Sequence, residues 1–343
     1  MRKLLNTLYV TTPEAYLARD GENVVVKVNS KIKFRVPVHN LEGIIGFGFS
    51  GASPALIQLC CERGIGITFL SPYGKFLGRV IGKLNGNVLL RRTQYRWADQ
   101  QDTALRLSKR FLLAKLMNSK KVLHRALRDH PDAVDRDLLE KTISYFAKVS
   151  KKIELLDNLD SIRGIEGEAA SNYFQCMNEL ILHQKEDFRL INRNRRPPLD
   201  RINALLSFLY SILAHDVTSA LESTGLDPQV GYLHKDRPGR ASLSLDLMEE
   251  FRAYLVDRLT LNLINRKQVS PKGFQVMENG AVIMDENTRK EVLTAWQKRK
   301  QEEITHPFLE EKIPLGLIPY VQSVLLSRHM RGDLDDYPPF FWR

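Results

Sequence analysis

The feature that most constrains the fold is a change in the spacing of apolar residues near residue 96. Before that point apolar and polar side chains alternate, and residues 31–38 place apolar groups on one face and basic groups on the other. A period of two is typical of a half-buried β-strand. After Ala98 the apolar residues recur every three or four positions, which predicts helices with one buried face. The clearest helical stripes are Leu105, Leu107, Phe111, Leu112, Leu116 and Met117, followed by Leu138, Leu139, Ile143, Phe146 and Val149.

These patterns predict an α+β protein of two domains, and 343 residues are enough for two apolar cores. Residues 1–96 would form a small N-terminal β-rich domain, and residues 97–343 a larger, mostly α-helical domain. The pair Asn279-Gly280 stands between two short apolar runs and predicts one β-hairpin inserted in the helical part. Long helices are predicted at 202–221 and from about 244 to 265.

The C-terminal residues 335–343 form an unusually aromatic tail that includes Tyr337, Phe340, Phe341 and Trp342. Aromatic side chains favour burial, because each one removes a large apolar surface from water. We therefore expect this tail to dock, either on this chain or on a partner.

The chain carries a large excess of positive charge. Its 51 lysines and arginines against 40 acidic residues give a formal net charge of +11. Such an excess favours polyanions such as nucleic acid, although a basic surface can also serve solubility alone. No apolar run approaches the roughly 20 residues of a membrane-spanning helix, and neither a Cys-x-x-Cys pair nor a signal-peptide core occurs. We expect a cytoplasmic protein without membrane contact.

Glu166 is the first candidate functional residue. It stands between Gly164 and Gly167, and Arg163 supplies positive charge nearby. Glycine costs about 1 kcal/mol relative to alanine inside a helix, so two glycines beside one carboxylate indicate close packing or the approach of a ligand. The alternative is a helix start that places Glu166 at its electropositive end. The local residues do not decide between these two interpretations.

An imidazole and two further acids complete the candidate set. His234 precedes a basic, turn-rich loop, 235–240, which could hold phosphate oxygens, although a lone histidine is more often a packed or surface residue. Asp246 and Glu249 lie three residues apart on a predicted helix and would share one face. For an isolated acidic pair, exposure to water is commoner than the binding of a cation. Together, Glu166, His234 and Glu249 offer two carboxylates and an imidazole, which suit Mg²⁺ or Mn²⁺.

The order and spacing of four motifs resemble those of a known family. The motifs are Arg163-Gly164-Ile165-Glu166-Gly167, residues 203–210, Gly231-Tyr232-Leu233-His234 and residues 245–252. With the β-rich N-terminal part and the Asn279-Gly280 hairpin, they are similar to the CRISPR-associated adaptation integrases, the Cas-one family, over essentially the whole chain. The length and the aromatic, proline-containing tail resemble the subtype I-C branch of that family.

The resemblance implies a set of site residues. Glu166, His234 and Glu249 would be the catalytic residues and the ligands of one divalent metal ion, Mg²⁺ or Mn²⁺. Asp246, one turn before Glu249, is a rival or a helper for the third position. Glu168, two positions along the helix from Glu166, would point away and be dispensable. Contacts with DNA are implied for Arg163, Tyr210, Lys235, Arg237 and Arg240.

The resemblance also implies a reaction. The 3′-hydroxyl of a short DNA fragment would attack a phosphodiester at the edge of a CRISPR repeat and so insert foreign DNA into the array. With water as the nucleophile, the same site would be an endonuclease. The β-rich domain would provide homodimer and DNA contacts, and the helical domain would bind metal and DNA.

Partners follow from the same resemblance. Two homodimers would assemble around a dimer of a small companion adaptation protein, the Cas-two family, as a heterohexamer on double-stranded DNA. The residues alone leave two alternatives. One is a non-catalytic, basic nucleic-acid-binding assembly protein, and the other is a metallohydrolase of small phosphoesters, which the lack of a denser His/Asp cluster disfavours.

Overall fold

The structure is a computed structural model that describes residues 5–12, 14–48, 51–71, 76–82, 88–194 and 197–342. Contacts between Cα atoms divide the chain into two compact units. The first unit contains Met1–Asn85 and Met284–Glu302, and the second contains Gly86–Ile283 and Glu303–Arg343. Strands dominate the first unit and helices the second, which confirms the predicted α+β class.

The described part of the first unit contains two four-stranded sheets. One sheet has the strand order β1-β5-β7-β8 and the other has the order β4-β3-β2-β6. Both sheets and helix α1 contribute to one apolar core that includes Leu17, Ile44 and Leu56. The elements are β1 (Asn6–Val10), β2 (Tyr16–Asp20), β3 (Asn23–Val28), β4 (Lys31–Pro37), β5 (Leu41–Phe47), β6 (Gly51–Ala52), α1 (Pro54–Glu62), β7 (Gly66–Leu70) and β8 (Phe76–Val80).

Strand β4 is present, but its predicted apolar face is not buried. The strand lies at the edge of its sheet, and Ile32 and Phe34 are 50% and 52% exposed. Alternation in the sequence identifies the strand, whereas burial of its face needs a neighbouring element that the described part of the first unit does not supply. The face is therefore open in a single copy of the chain.

The rest of the chain is mainly helical. Its elements up to residue 265 are α2 (Val88–Asp99), α3 (Gln101–Asp129), α4 (Arg136–Lys152), α5 (Leu159–Gln175), α6 (Arg201–Ser223), α7 (Ser242–Met248) and α8 (Arg258–Asn265). The later elements are β9 (Phe274–Val276), β10 (Val282–Met284), α9 (Glu286–Gln301), β11 (Glu303–Thr305), β12 (Lys312–Pro314) and α10 (Ile318–Met330). Strands β9 and β10 pair across Asn279-Gly280, which confirms the predicted hairpin. The pairing of β11 with β12 was not predicted, because strands of three residues are too short to show a period.

Helix α6 confirms the helix predicted at 202–221. Among the described residues it is the one helix that is long and apolar enough to cross a membrane by length and composition. However, 61% of its most apolar stretch is buried inside the protein, as in the core helix of a soluble protein.

The helix predicted from about 244 to 265 is wrong as a single element. Helix α7 ends at Met248, a π-helical segment covers Arg252–Asp257, and α8 begins at Arg258. Residues 242–265 contain no glycine or proline that would mark the break. π-helical segments often occur at functional sites, because the extra residue redirects the side chains that follow.

Helix α9 packs on the β-rich unit although it lies far along the chain. Gln297 Nε2 donates to the Thr7 carbonyl oxygen at 2.9 Å, and the buried Lys300 Nζ lies 2.9 Å from Glu42 Oε1. These contacts account for its place in the first compact unit. The domain limits 1–96 and 97–343, with their separate roles, stay a prediction.

Candidate active site

Asp246 organises the loop that carries His234. Its buried carboxylate accepts hydrogen bonds from the backbone amides of Tyr232, Leu233 and His234, at 2.6, 3.0 and 2.9 Å. It also lies 2.7 Å from His234 Nδ1. Because an ionised carboxylate only accepts hydrogen bonds, Nδ1 is the donor in this contact, and the other ring nitrogen, Nε2, is the atom that could bind a cation. Asp246 therefore supports His234 rather than competing with Glu249 for the third ligand position.

Gly231 is needed for this arrangement, a role that its place in the Gly231-Tyr232-Leu233-His234 motif did not predict. A Cβ atom at this position would lie 2.7 Å from Ser242 Cβ and 2.8 Å from Asp246 Oδ2. Both distances are shorter than non-bonded contacts allow, so the loop can approach helix α7 this closely only with glycine.

Replacing Gly231 by alanine is expected to lower the free energy of unfolding by about 1–3 kcal/mol, because the loop must move off α7. Denaturant unfolding followed by circular dichroism measures the change. Gly164→Ala is the matched control, since a Cβ there meets nothing within 4 Å and alanine favours a helix interior by up to about 1 kcal/mol. Equal stability of Gly231→Ala and the wild type would show that the close approach is not required.

Glu166 lies in the middle of helix α5, not at its start. The helix is capped by Asn158, whose side chain accepts from the Ser161 amide at 2.8 Å. The helix-start interpretation is therefore wrong. A Cβ at Gly164 or at Gly167 would meet nothing within 4 Å, so these glycines keep the surface around Glu166 open rather than serving close packing.

Glu249 follows α7 and is the most buried of the predicted ligands, with 2% of its side chain exposed. Its Oε1 atom lies 3.0 Å from Arg252 Nε, and its Oε2 atom lies 2.9 Å from Lys115 Nζ. Lys115, from helix α3, also contacts Glu166 Oε1. One ammonium group thus joins carboxylates from two separate parts of the chain.

Charge compensation keeps the buried Glu249 and Lys115 ionised. Burial would raise the pKa of Glu249, but Arg252, Lys115 and His234 outweigh it and lower that pKa to about 2. Burial lowers the pKa of Lys115, but Glu249 and Glu166 raise it above its ordinary value. The formal charges of Glu166, Glu249, Lys115 and Arg252 cancel.

The donor set fits a hard divalent cation. Among the described residues, no three histidine, cysteine or acidic side chains already stand together as a ligand cluster. Oxygens of Glu166 and Glu249 nevertheless converge on the Lys115 ammonium, so both carboxylates already face one cation. Carboxylate oxygens and imidazole nitrogen are ligands that Mg²⁺ and Mn²⁺ accept.

Two of the predicted DNA contacts line the approach to His234. Arg163 Nε donates to the Leu233 carbonyl oxygen at 2.7 Å, and its Nη1 atom lies 3.0 Å from Asp160 Oδ1. Lys235 Nζ lies 3.3 Å from the same Asp160 oxygen, and its side chain is 60% exposed. Arg163 thereby ties α5 to the His234 loop. Arg237 is exposed and Arg240 is half-buried in the same loop.

Tyr210 is placed differently from its predicted role. Only 8% of the residue is exposed, and its hydroxyl donates to Asp257 Oδ1. The Arg252 guanidinium lies over the tyrosine ring at 4.7 Å from the centroid. In this arrangement the Tyr210 ring packs against the Arg252 guanidinium. A contact between the Tyr210 hydroxyl and DNA stays a prediction.

Lys115 is the functional residue that sequence reasoning missed. It sits in the predicted stripe of α3, directly before the buried Leu116. A lysine on the buried side of an amphipathic helix is costly unless it is paired. The position of Lys115 on the apolar side of the helix therefore indicates a buried ion pair, but it does not reveal which acids pair with the lysine.

The aromatic tail docks on this chain, beside the candidate site. Tyr337 Oη donates to Glu250 Oε1 at 2.6 Å, and the Phe340 amide donates to Glu250 Oε2 at 2.7 Å. The Trp342 amide donates to Asn118 Oδ1 at 2.8 Å. Burial raises the pKa of Glu250 to about 8, despite these hydrogen bonds and one from Gln322. The tail thus packs against Glu250, the residue that follows Glu249 in the chain.

Comparisons with known proteins agree with this architecture. The family model for "CRISPR associated protein Cas1" matches residues 8–298. A CRISPR-associated endonuclease Cas1 of Chlorobaculum tepidum is 49% identical over 343 residues, with 100% of both chains covered. A second protein of that name, from Rhodospirillum rubrum, is 50% identical over 347 residues and again covers 100% of both chains.

The fold also matches solved structures. A Cas1 protein from Thermotoga maritima, TM1797, superposes with a TM-score of 0.81 at 25% identity, over 95% of this chain and 97% of that one. A casposase bound to its integration product shares the fold with a TM-score of 0.83 at 21% identity, over 97% of this chain and 92% of that chain. Since the family model covers most of the sequence and the relatives match it end to end, this chain belongs to the Cas1 family of CRISPR-associated proteins.

Proposed function

We propose that this protein is a metal-dependent DNA integrase and endonuclease that inserts short foreign DNA fragments into a CRISPR array. The observation that carries the proposal is that the Lys115 ammonium contacts the carboxylates of both Glu166 and Glu249. His234, whose ring is oriented by the buried Asp246 carboxylate, is close enough to Glu249 to lower the pKa of that glutamate. Relatives named endonucleases, 49% and 50% identical over their full lengths, support the same activity.

The reaction is a transesterification. The 3′-hydroxyl oxygen of the fragment attacks the phosphorus of a phosphodiester at the edge of a repeat, a new P–O bond forms, and the hydroxyl proton is released to solvent. The bond from phosphorus to the leaving 3′-oxygen breaks, and that oxygen takes up a proton. When water replaces the fragment, the same exchange cleaves the DNA.

Glu166, His234 and Glu249 would hold one divalent ion, Mg²⁺ or Mn²⁺, which when bound stabilises charge on the attacking and leaving oxygens. Asp246 holds His234 in the orientation that presents Nε2, as carboxylates behind metal-binding histidines commonly do. Arg252 keeps Glu249 ionised within the protein interior. Glu168 is exposed, and we give it no role in the mechanism.

DNA binding is assigned to the basic rim of the site. Arg163, Lys235, Arg237 and Arg240 surround His234 in sequence or in space, and exposed guanidinium and ammonium groups bind phosphate oxygens. The formal net charge of +11 adds a general attraction for the polyanion. Affinity should therefore fall as salt is raised.

The same proposal includes partners and location. The exposed apolar face of β4, with Ile32 and Phe34, supports a homodimer made through the β-rich unit. We assign the heterohexamer with the small Cas2 companion, the cytoplasmic location and the subtype I-C branch on the strength of family membership and the resemblance.

A joining assay with and without chelator tests the proposal. The full chain and its companion protein are incubated with a short duplex bearing 3′-hydroxyl ends and a plasmid carrying repeats. Joined product is expected with Mg²⁺ or Mn²⁺ and none with EDTA, and excess metal should restore it. Salt-dependent DNA binding that ignores EDTA and yields no product would instead identify a non-catalytic assembly protein. Cleavage of a small chromogenic phosphodiester without DNA joining would identify a metallohydrolase.

A further inference from the structure

Lys115 occupies the place where a metal ion would be expected. Its Nζ atom contacts Glu166 Oε1 and lies 2.9 Å from Glu249 Oε2, and only 14% of its side chain is exposed. The ammonium therefore stands where oxygens from two proposed ligands converge. A divalent ion bound by the same oxygens would need the position of the Lys115 ammonium. If both stayed there, the two cations would be in contact and would repel each other strongly.

The contact between Lys115 and Glu249 is one that can be exchanged. It is an ion pair at 2.9 Å, and the same ammonium is shared with Glu166 Oε1. The other oxygen of Glu249 keeps Arg252 at 3.0 Å. Glu249 thus retains one counter-charge when Lys115 leaves.

A cavity beside Lys115 offers the ammonium a second position. Its volume is about 30 Å³, and its lining includes Lys115, Tyr173, Tyr210, Arg252 and Asp257. Asp257 is a buried acid, only 1% exposed. Tyr210 donates to it and the Tyr173 hydroxyl also interacts with it, and an ammonium would use a further acceptor position of the same carboxylate. A lysine side chain has a flexible four-carbon stem, so it can change partners without movement of helix α3.

We propose that Lys115 is a displaceable counter-cation of the active site. In the metal-free protein it neutralises Glu166 and Glu249, and when a metal ion binds it turns into the cavity towards Asp257. This inference rests on the proposed metal site. When a divalent ion replaces the singly charged Lys115 ammonium, the cluster with Glu166, Glu249 and Arg252 changes from neutral to positive. The site would therefore attract a phosphodiester only when it is loaded with metal.

Binding of Mn²⁺ alone tests the inference, measured by calorimetry and by the electron paramagnetic resonance signal of free Mn²⁺. Full-length wild type, Lys115→Met, Lys115→Arg and Glu166→Gln are compared. Lys115→Met is expected to bind Mn²⁺ about tenfold or more tightly, because no buried ion pair has to be broken first. Lys115→Arg keeps the charge and should bind no more tightly than the wild type. Glu166→Gln should bind more weakly, because it lacks a ligand.

The outcomes separate this inference from the proposed function. If Lys115→Met binds equally or more weakly while Glu166→Gln loses affinity, the metal site stands and the role of Lys115 is overturned. If neither the wild type nor Lys115→Met binds Mn²⁺, both fail.

A second measurement avoids the risk that Lys115→Met does not fold. Lysines of the wild type are labelled with ¹³C at Cε, and the Lys115 signal is identified by its absence in Lys115→Arg. Saturation with Mg²⁺ is expected to shift that signal. An unchanged Lys115 signal in the metal-loaded protein would overturn the inference.

Discussion

Replacing Glu166 by glutamine is expected to reduce metal-dependent strand joining by on the order of 10³-fold. The change removes one of the two carboxylates that meet at Lys115 and leaves the shape of the side chain almost unchanged. Glu166 is 27% exposed and Lys115 keeps Glu249 as a partner, so loss of this ion pair should cost less folding stability than removal of a fully buried partner. The measurement is the initial rate of joined product at saturating Mg²⁺, together with the thermal unfolding midpoint.

Glu168→Gln is the matched control, because it makes the same chemical change two residues away on the same helix. Glu168 is exposed, and this variant should join DNA at the wild-type rate. Both variants should bind DNA with similar affinity, since the basic rim is intact in each. If Glu166→Gln joins DNA as fast as Glu168→Gln, Glu166 is not part of the active site.

The second large effect is expected for Asp246→Asn. The asparagine amide would place a donor among three backbone amides and His234 Nδ1, all of which now donate to the carboxylate. We expect metal affinity to fall by about 10–100-fold, as for other residues that orient a ligand from behind. Stability should fall as well, by about 1–3 kcal/mol, because buried donors lose their acceptor.

Two readouts separate positioning from simple destabilisation. The affinity for Mn²⁺ is measured well below the unfolding temperature, and joining is measured at the same temperature. Asp160→Asn is the control, since Asp160 is also acidic and near His234 but is 78% exposed. It should leave Mn²⁺ affinity unchanged. Wild-type affinity in Asp246→Asn would show that His234 needs no support or is not a ligand.

Local signals in the sequence were enough for several elements. Helix α6 was predicted within two residues at each end, because its apolar stripe is bounded by Pro197-Pro198 and by Gly225. The hairpin at Asn279-Gly280 followed from turn chemistry, and the buried tail followed from its aromatic content. Each of these features depends on residues that are neighbours in the chain.

Features set by distant contacts were not predictable in the same way. The break after Met248 has no glycine or proline to announce it, and the exposure of Ile32 and Phe34 depends on where β4 lies in its sheet. The sequence predicts that Asp246 and Glu249 share one helical face. An isolated acidic pair of this kind is more often exposed to water than bound to a cation. Both residues are instead buried, at 0% and 2% exposure, and they serve different partners.

The sequence by itself determined the fold class, the family and the short set of candidate residues for the active site, because these depend on periodicity, motif order and residue chemistry. Only the tertiary structure decided how the set is divided: Glu166 and Glu249 meet at a cation, while Asp246 holds His234 from behind. It also introduced Lys115, which lies 51 residues from Glu166 along the chain. Pairing across such separations depends on how α3, α5 and the segment after α7 pack, and no local pattern records that packing.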